Sequence, residues 1–183
     1  MPELSDITGL LAAVKQGEPG AESQLFSLLY ADLRQLARQR LRRSTPCTLL
    51  DTTALVHEAY LRLHNAGYLQ IADRAHFLAY AARVMRSIVV DLVRKRGAAR
   101  RVDGDVSNVV DPASLAAGEN EILRVDQALH ELAQVSDRLV KVVEMRYFAG
   151  MKETEIADAL SLTERTVRRD WEKARMLLAT SLK

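Results

Sequence analysis

Residues 155–169 have the sequence EIADALSLTERTVRR. Apolar residues in it recur at helical spacing on either side of a three-residue break. Ala157 is small enough to let a second helix cross closely, Leu162 fills the turn, and Val167 packs the second helix onto the first. This combination predicts a helix-turn-helix, with helices over residues 154–160 and 164–178, and it favours an all-α fold.

The second of these helices is predicted to present five polar side chains to solvent: Arg165, Thr166, Arg168, Arg169 and Lys173. Arginines near the start of such a helix can bond guanine edges and phosphates in the major groove of DNA. The alternative is an ordinary helical hairpin with a solvated charged face. The small residue, the turn leucine and the valine together favour DNA binding, and they leave open which residues contact bases.

Helical periodicity extends along most of the chain, and no strand pattern occurs. Further helices are predicted over residues 5–16, 21–43, 51–65, 73–96, 121–133 and 137–148. Residues 98–119 lose this periodicity, and Gly97 after a basic run is expected to end the fourth helix. The sequence therefore predicts two helical domains, residues 1–97 and 120–183, joined by a flexible linker over residues 98–119.

Composition indicates a cytoplasmic protein with packed cores. The chain of 183 residues is 48% hydrophobic and 27% charged, as is typical of soluble domains. Its single cysteine, Cys47, cannot form an internal disulfide, which suits a reducing compartment. We found no signal peptide, membrane span, catalytic motif or metal-ligand cluster, so we expect neither an enzyme nor a protein with a cofactor or a resident metal.

Positive charge is concentrated in the first half of the chain. Residues 1–100 contain 14 Lys and Arg against 9 Asp and Glu, residues 101–120 contain 1 against 4, and the remainder is neutral with 11 of each. A basic first half is compatible with nucleic-acid binding.

Two further segments carry a resemblance to a known family. The segment DTTALVHEAYLRL, residues 51–63, resembles the second conserved region of extracytoplasmic-function (group 4) sigma factors. The segment FLAYAARVMRSIVVDLVRKR, residues 77–96, resembles the next helix of that family, which melts and binds the −10 promoter element. The helix-turn-helix is similar to the family's −35 reader. The resemblance implies a subunit that binds core RNA polymerase and promoter DNA.

The resemblance also implies which residues make these contacts. The surface that binds the β′ clamp helices of polymerase would include Asp51, Leu55, His57, Glu58 and Arg62. For Leu55, a place in the hydrophobic core is an equal alternative. The polymerase β subunit would be a further partner. The −10 DNA backbone would be held by Arg83, Arg86, Arg94, Lys95 and Arg96, for which the alternative is a solvated helix face. The preceding loop, residues 67–74, would capture a flipped base. We expect Asp91 to pair with Arg94 or Lys95.

The chain departs from its family at the start of the clamp-binding helix. The family usually has an acidic run there, whereas this chain has Asp51, Thr52, Thr53 and Ala54. A phosphothreonine adds about −1.5 to −2 charge and would replace the missing carboxylates. We therefore predict activation by a Ser/Thr protein kinase, at Thr53 first and Thr52 second, as in the sigma-factor subgroup associated with such kinases. The alternative is that both threonines only cap the helix.

A stand-alone helix-turn-helix regulator is the main alternative to a sigma factor. A stand-alone helix-turn-helix transcriptional regulator would need its own operator affinity and commonly a dimer, and residues 1–97 show no dimerisation pattern. Many members of the family are held by an anti-sigma protein, and such a partner is an alternative route of regulation for this chain.

Overall fold

The computed structural model describes residues 4–43, 51–65, 71, 73–103 and 112–182. In this part of the chain every regular element is helical, which confirms the all-α prediction. The elements, in chain order, are α1 (Leu4–Lys15), α2 (Ala21–Arg43), α3 (Thr52–Asn65), α4 (Arg74–Asp103), α5 (Pro112–Val135), α6 (Asp137–Val143), a π-helical turn (Glu144–Phe148), α7 (Glu153–Leu160) and α8 (Glu164–Ser181).

Acidic residues cap two helices of the first half. Asp51 Oδ1 accepts a hydrogen bond of 2.7 Å from the backbone N–H of Ala54 at the start of α3. Asp73 Oδ1 accepts one of 2.9 Å from the backbone N–H of His76 at the start of α4. Each carboxylate satisfies an N–H group that the helix itself leaves without a partner. The predicted starts of the third and fourth helices are therefore confirmed.

Some predicted helix boundaries are wrong. Helix α4 does not stop at Gly97 but continues to Asp103, and α5 begins at Pro112 rather than near residue 121. Glycine in a helix interior costs only about 1 kcal/mol relative to alanine, and the alanines and arginines after it favour the helix. Only residues 104–111 of the predicted linker lie outside the described residues. Helix α1 spans Leu4–Lys15, one residue earlier at each end than the predicted range 5–16.

Helices α1 to α4 enclose one hydrophobic core. Its fully buried side chains include Leu11, Leu25, Leu29, Leu33, Leu55, Leu63 and Met85. Leu55 is 0% exposed, and it cannot contact another protein without opening this core. Its predicted place on a polymerase-binding surface is therefore wrong, and the alternative, a core position, is correct.

The second half packs its helices around Ile156, Ala157 and Val167, which are all buried, as the sequence predicted for Ala157 and Val167. The turn between α7 and α8 is tight because Ser161 adopts the left-handed conformation, with φ 53°. The backbone N–H of Leu162 then donates to the Ala157 carbonyl at 2.8 Å. Thr163 caps α8 by accepting a hydrogen bond of 3.2 Å from the backbone N–H of Thr166.

A π-helical turn interrupts the predicted helix over residues 137–148. Ser136 occupies the N-cap position of α6, although its side chain makes no cap hydrogen bond. The last five residues, Glu144–Phe148, form the π-helix, and the backbone N–H of Ala149 donates to the Glu144 carbonyl at 2.9 Å. π-Helical turns are rare in proteins, and those that occur are often found at functional sites.

Helix α4 joins the two halves of the described chain. Its Ala82 is buried in the core formed by α5, α6 and α8, and Ala75 and Ala79 pack against the core beneath α7 and α8. These three alanines share one face of α4 because they lie four and three residues apart. Their small side chains let the second half approach the α4 backbone closely. No helix among the described residues is both long and apolar enough to cross a membrane.

Candidate nucleic-acid interface

Helix α8 carries a row of exposed cationic side chains. Arg165, Arg169 and Lys173 are exposed to solvent, as the sequence predicted. Arg165 and Lys173 have no ion pair with any described residue, whereas Arg169 Nε lies 3.9 Å from Asp170 Oδ1. This face of α8 can therefore offer unpaired cations to an anionic ligand.

Arg168 and Thr166 are less free than the rest of this row. Arg168 Nη2 donates to Glu153 Oε2 at 2.9 Å. Hydrogen bonds from Arg146 and Arg168 lower the pKa of Glu153, so that the carboxyl is ionised. Thr166 is half-buried, and its hydroxyl lies 2.9 Å from that of Thr163 in the cap of α8. Each side chain therefore already has a partner within the protein that would compete with DNA, although Arg168 stays 66% exposed.

Four of the five predicted cations of α4 form ion pairs with carboxylates of the second half. Arg83 Nε and Arg86 Nη2 lie 3.2 Å and 3.1 Å from the Glu144 carboxylate. Arg86 also donates to Asp126, and Arg94 Nη2 does so at 3.0 Å. Arg96 Nη1 lies 3.4 Å from Glu119 Oε1. The alternative of a solvated helix face is therefore wrong for Arg86 and Arg96, whose side chains are 12% and 28% exposed. It is not contradicted for Arg83 and Arg94, which form ion pairs but stay 52% and 59% exposed.

The carboxylates in these pairs were missed at the sequence level. The side chains of Asp126 and Glu144 are each 6% exposed, although charged residues are almost never buried unless they are paired. A sequence signal did exist for one of them. Asp126 lies four residues after Ile122 and three before Leu129, so it falls on the apolar face of α5.

The remaining predictions for α4 have mixed outcomes. Lys95 is exposed and has no ion pair among the described residues. Asp91 pairs with neither Arg94 nor Lys95 but with Arg62 of α3, whose Nη1 lies 2.9 Å from Asp91 Oδ2. That prediction failed because it considered only neighbours within one helix. Residues 67–70 and 72 of the predicted base-capturing loop lie outside the described residues.

The outer face of α3 is open to solvent. Thr53, Ala54 and His57 are exposed, Thr52 and Glu58 are half-buried, and Asp51 is exposed at the helix cap. Leu61 is 53% exposed, and it was missed although it lies one turn after His57 on the same face. Arg62 is turned toward α4 and also bonds Glu58, with Nε 3.2 Å from Oε1.

No group of three or more described His, Cys, Asp and Glu residues could hold a metal ion. His57 and His64 are both exposed, and Cys47 lies outside the described residues.

Comparison with known proteins identified a family and several similar solved structures. Residues 4–183 match the family model described as ECF sigma factor. No curated protein matches the chain significantly. A solved structure described as CnrH in complex with the cytosolic domain of CnrY is 24% identical, with 97% of each chain covered and a TM-score of 0.42.

Proposed function

The chain belongs to the ECF sigma factor family, which binds RNA polymerase and directs transcription initiation, and from this we propose a division of labour between its helices. In this proposal α3 binds the β′ clamp helices of core RNA polymerase, α4 binds and melts the −10 element, and α7 with α8 forms the helix-turn-helix that binds the −35 element. The polymerase β subunit would be a further contact. The match over residues 4–183 is the observation that carries the proposal.

The exposed face of α3 supports its role as the polymerase-binding helix. Thr53, His57 and Leu61 follow one another at spacings of four residues, so their side chains line one face of the helix. Leu61 adds an exposed apolar side chain to this polar face. Interfaces commonly combine such an apolar centre with a polar rim.

The pair α7–α8 supports the role of promoter reader. Its three-residue turn and buried Ala157 and Val167 fix how the two helices cross, and the exposed Arg165 lies at the start of α8. The N-terminal residues of a recognition helix are those that contact base edges. Arg169 and Lys173 lie farther along the same helix, where contacts with phosphates are expected.

Phosphorylation of α3 is the proposed switch, and exposure favours Thr53 over Thr52. Thr53 is exposed, whereas Thr52 is half-buried, so a kinase would reach Thr53 more easily. The first turn of α3 contains no acidic residue. A phosphate there would lie near free backbone N–H groups and the positive end of the helix dipole. It would supply the negative charge that the family's clamp contact uses.

This proposal places the chain in the cytoplasm, within the sigma-factor subgroup associated with Ser/Thr kinases. A Ser/Thr protein kinase is then a partner, and an anti-sigma protein is the alternative regulator.

A stand-alone helix-turn-helix regulator is the second candidate function. It would bind its operator without polymerase, whereas a sigma factor would not form a stable promoter complex alone.

The test is binding of the chain to bacterial core RNA polymerase, with unmodified protein and protein phosphorylated at Thr53 measured in parallel. Thr53→Ala and Thr52→Ala are the matched controls, each exposed to the same kinase. We expect tight binding only by phosphorylated protein, loss of the effect in Thr53→Ala, and its retention in Thr52→Ala.

Equal binding by both forms would keep the sigma-factor function and reject the switch. Binding by neither form, together with operator binding in the absence of polymerase, would favour the stand-alone regulator.

A further inference from the structure

Three charged side chains form a chain of contacts from the π-helical turn to α8. Glu153, the first residue of α7, accepts hydrogen bonds from two arginines through different oxygens of its carboxylate. Arg146 Nη1 lies 2.5 Å from Oε1, and Arg168 Nε and Nη2 lie 3.2 Å and 2.9 Å from Oε2. Arg146 also lies over the ring of Trp171, with Cζ 5.0 Å from the ring centroid. The carboxylate that contacts Arg168 is therefore itself held in place by Arg146.

This contact occupies only one edge of the Arg168 guanidinium. The group has five N–H donors, and Glu153 accepts from two of them, on Nε and Nη2. Nη1 has no hydrogen bond with any residue that the structure describes, and the side chain is 66% exposed. The edge formed by Nη1 and Nη2 can bond O6 and N7 of guanine as a fork. Arg168 is thus fixed along one edge and open along the edge that can contact a base.

Other contacts already fix α8, so Glu153 is not needed as its clamp. Val167 is fully buried beneath the helix. The Asp170 side chain is 4% exposed and accepts a hydrogen bond of 2.7 Å from Arg138 of α6. Substituting Glu153 should therefore leave the crossing of α7 and α8 unchanged. Its effect falls on Arg168, a long exposed side chain that would otherwise sample many rotamers.

The net charge of this cluster suits a surface that faces DNA. A lone carboxylate there would repel phosphates, because like charges oppose association. Arg146 offsets the charge of Glu153, so the two arginines and one carboxylate together carry one positive charge. Hydrogen bonds from both arginines lower the pKa of Glu153, which keeps the carboxylate ionised and the contact with Arg168 charge-assisted at neutral pH.

We propose that Glu153 is a positioning residue that determines base preference, because it holds Arg168 in the orientation that bonds guanine at one position of the −35 element. The inference deepens the proposed function and rests on it, since it takes α8 to be the helix that contacts base edges. Ordering an exposed side chain before binding reduces the entropy that is lost in the complex. The expected gain in binding to guanine at that position is about threefold to tenfold.

The first experiment compares Glu153→Ala with Glu164→Ala. Each substitution removes a carboxylate from the first residue of a helix of the helix-turn-helix, but Glu164 has no ion pair with a described residue. Holoenzyme is assembled from core RNA polymerase and each chain, phosphorylated at Thr53. It selects from a randomised library of duplex DNA, and the bound fraction is sequenced. Wild type and Glu164→Ala should select the same guanine, whereas Glu153→Ala should lose about threefold to tenfold of that preference.

The same selection in an Arg168→Ala background tests whether Glu153 acts through Arg168. There, Glu153→Ala should have no further effect on the preference for guanine, because two residues that act through one contact are not additive. An equal loss of preference in both backgrounds would overturn the proposal. So would a rise in affinity for all sequences without a change in preference, because that result would reduce Glu153 to a repulsive charge.

NMR relaxation of the Arg168 Nε–H gives a measurement that needs neither DNA nor polymerase. In the free wild-type chain this group should be ordered on the picosecond–nanosecond timescale. In Glu153→Ala it should become as mobile as the Nε–H of Arg165, which is exposed and has no ion pair with a described residue. Equal mobility of the Arg168 and Arg165 groups in wild type would overturn the proposal, whatever the selections show.

Failure of the inference is distinguishable from failure of the proposed function, because the selection is repeated with the chain alone. If holoenzyme containing wild type or Glu153→Ala selects one guanine equally, the inference is wrong and the sigma-factor function stands. If only the chain alone selects a sequence, the proposed function fails, and the effect of Glu153→Ala on that selection decides the inference. A wild-type chain without preference for guanine in either format would overturn the inference.

Discussion

Arg62 of α3 lies 2.9 Å from Asp91 of α4, measured from Nη1 to Oδ2. The same guanidinium bonds Glu58 one turn earlier in its own helix and Ser87 in α4. Arg62 therefore ties the proposed polymerase-binding helix to the proposed DNA-binding helix. Its predicted contact with polymerase stays a prediction, but the side chain would have to leave α4 to make it.

A double-mutant cycle between Arg62→Ala and Asp91→Ala should show a modest coupling. Both side chains are more than a third exposed, so we expect a coupling of about 0.5–1 kcal/mol in the free energy of unfolding. Urea denaturation of the four proteins measures it. A coupling near zero would mean that the pair does not join α3 to α4 in solution.

Substitutions at Leu55 and His57 should affect different properties: folding stability for Leu55 and polymerase binding for His57. Leu55→Ala removes a fully buried side chain and should lower the free energy of unfolding by about 2–5 kcal/mol. His57→Ala changes an exposed residue and should alter stability by less than about 0.5 kcal/mol while weakening binding of the phosphorylated chain to core polymerase. Undiminished polymerase binding by His57→Ala would remove this residue from the proposed contact.

Asp73 should make stability depend on pH. Burial acts to raise the pKa of its carboxyl, but the hydrogen bonds from the backbone and imidazole of His76 outweigh it, and the pKa lies below its ordinary value. A lowered folded-state pKa gives stability that is present above the unfolded-state value, about 3.9, and is lost as pH falls through the folded-state pKa.

The matched variant for this effect is Asp73→Asn, which can still cap α4 but cannot ionise. The free energy of unfolding of wild type should exceed that of Asp73→Asn near neutral pH, and the difference should shrink as pH falls below about 4. Asp73→Ala should cost about a further 1 kcal/mol through loss of the cap. Chemical denaturation across this pH range measures both, and a difference that does not change with pH would contradict the prediction.

Arg165 and Arg175 should differ in their effect on promoter binding. Both are exposed on α8, but Arg165 lies at its start without an ion pair, whereas Arg175 lies ten residues later beside Glu172. Arg165→Ala should weaken binding to the −35 element. If Arg165 contacts a base, the loss should be about 1–3 kcal/mol in the free energy of binding. If it contacts a phosphate, the dependence of the logarithm of the binding constant on the logarithm of the salt concentration should become smaller by about one unit. Arg175→Ala should change neither, as measured by holoenzyme binding to promoter DNA at several salt concentrations.

Local patterns in the sequence were sufficient to predict most helices. The range 21–43 was correct for α2 because its leucines keep one helical period over the whole segment. The start of α3 was correct because Asp51 precedes an apolar periodic run. The turn between α7 and α8 was also predicted in place, since Ala157, Leu162 and Val167 constrain how closely two helices can pack.

Interactions between distant parts of the chain were not predicted. Asp91 was assigned to a neighbour in its own helix, but its partner Arg62 lies 29 residues earlier. The partners of Arg86 lie 40 and 58 residues later, and pairing over such distances leaves no periodic signal. Gly97 was predicted to end α4 because glycine is common just after the C-terminus of a helix. A glycine inside a helix costs only about 1 kcal/mol, so the residue type alone does not determine where the helix ends.

The π-helical turn at Glu144–Phe148 holds one more residue than an α-helical turn would. Its wider hydrogen-bond repeat accommodates that residue, whereas each residue added to a regular α-helix advances the helix by about 100°. Deleting one residue between Glu144 and Phe148 could therefore be absorbed as an α-helical turn, with α6 keeping its orientation toward α7 and α8. The same deletion inside α5 would instead rotate the helix before it by about that angle, so this short segment is the place where the second half tolerates a change in length.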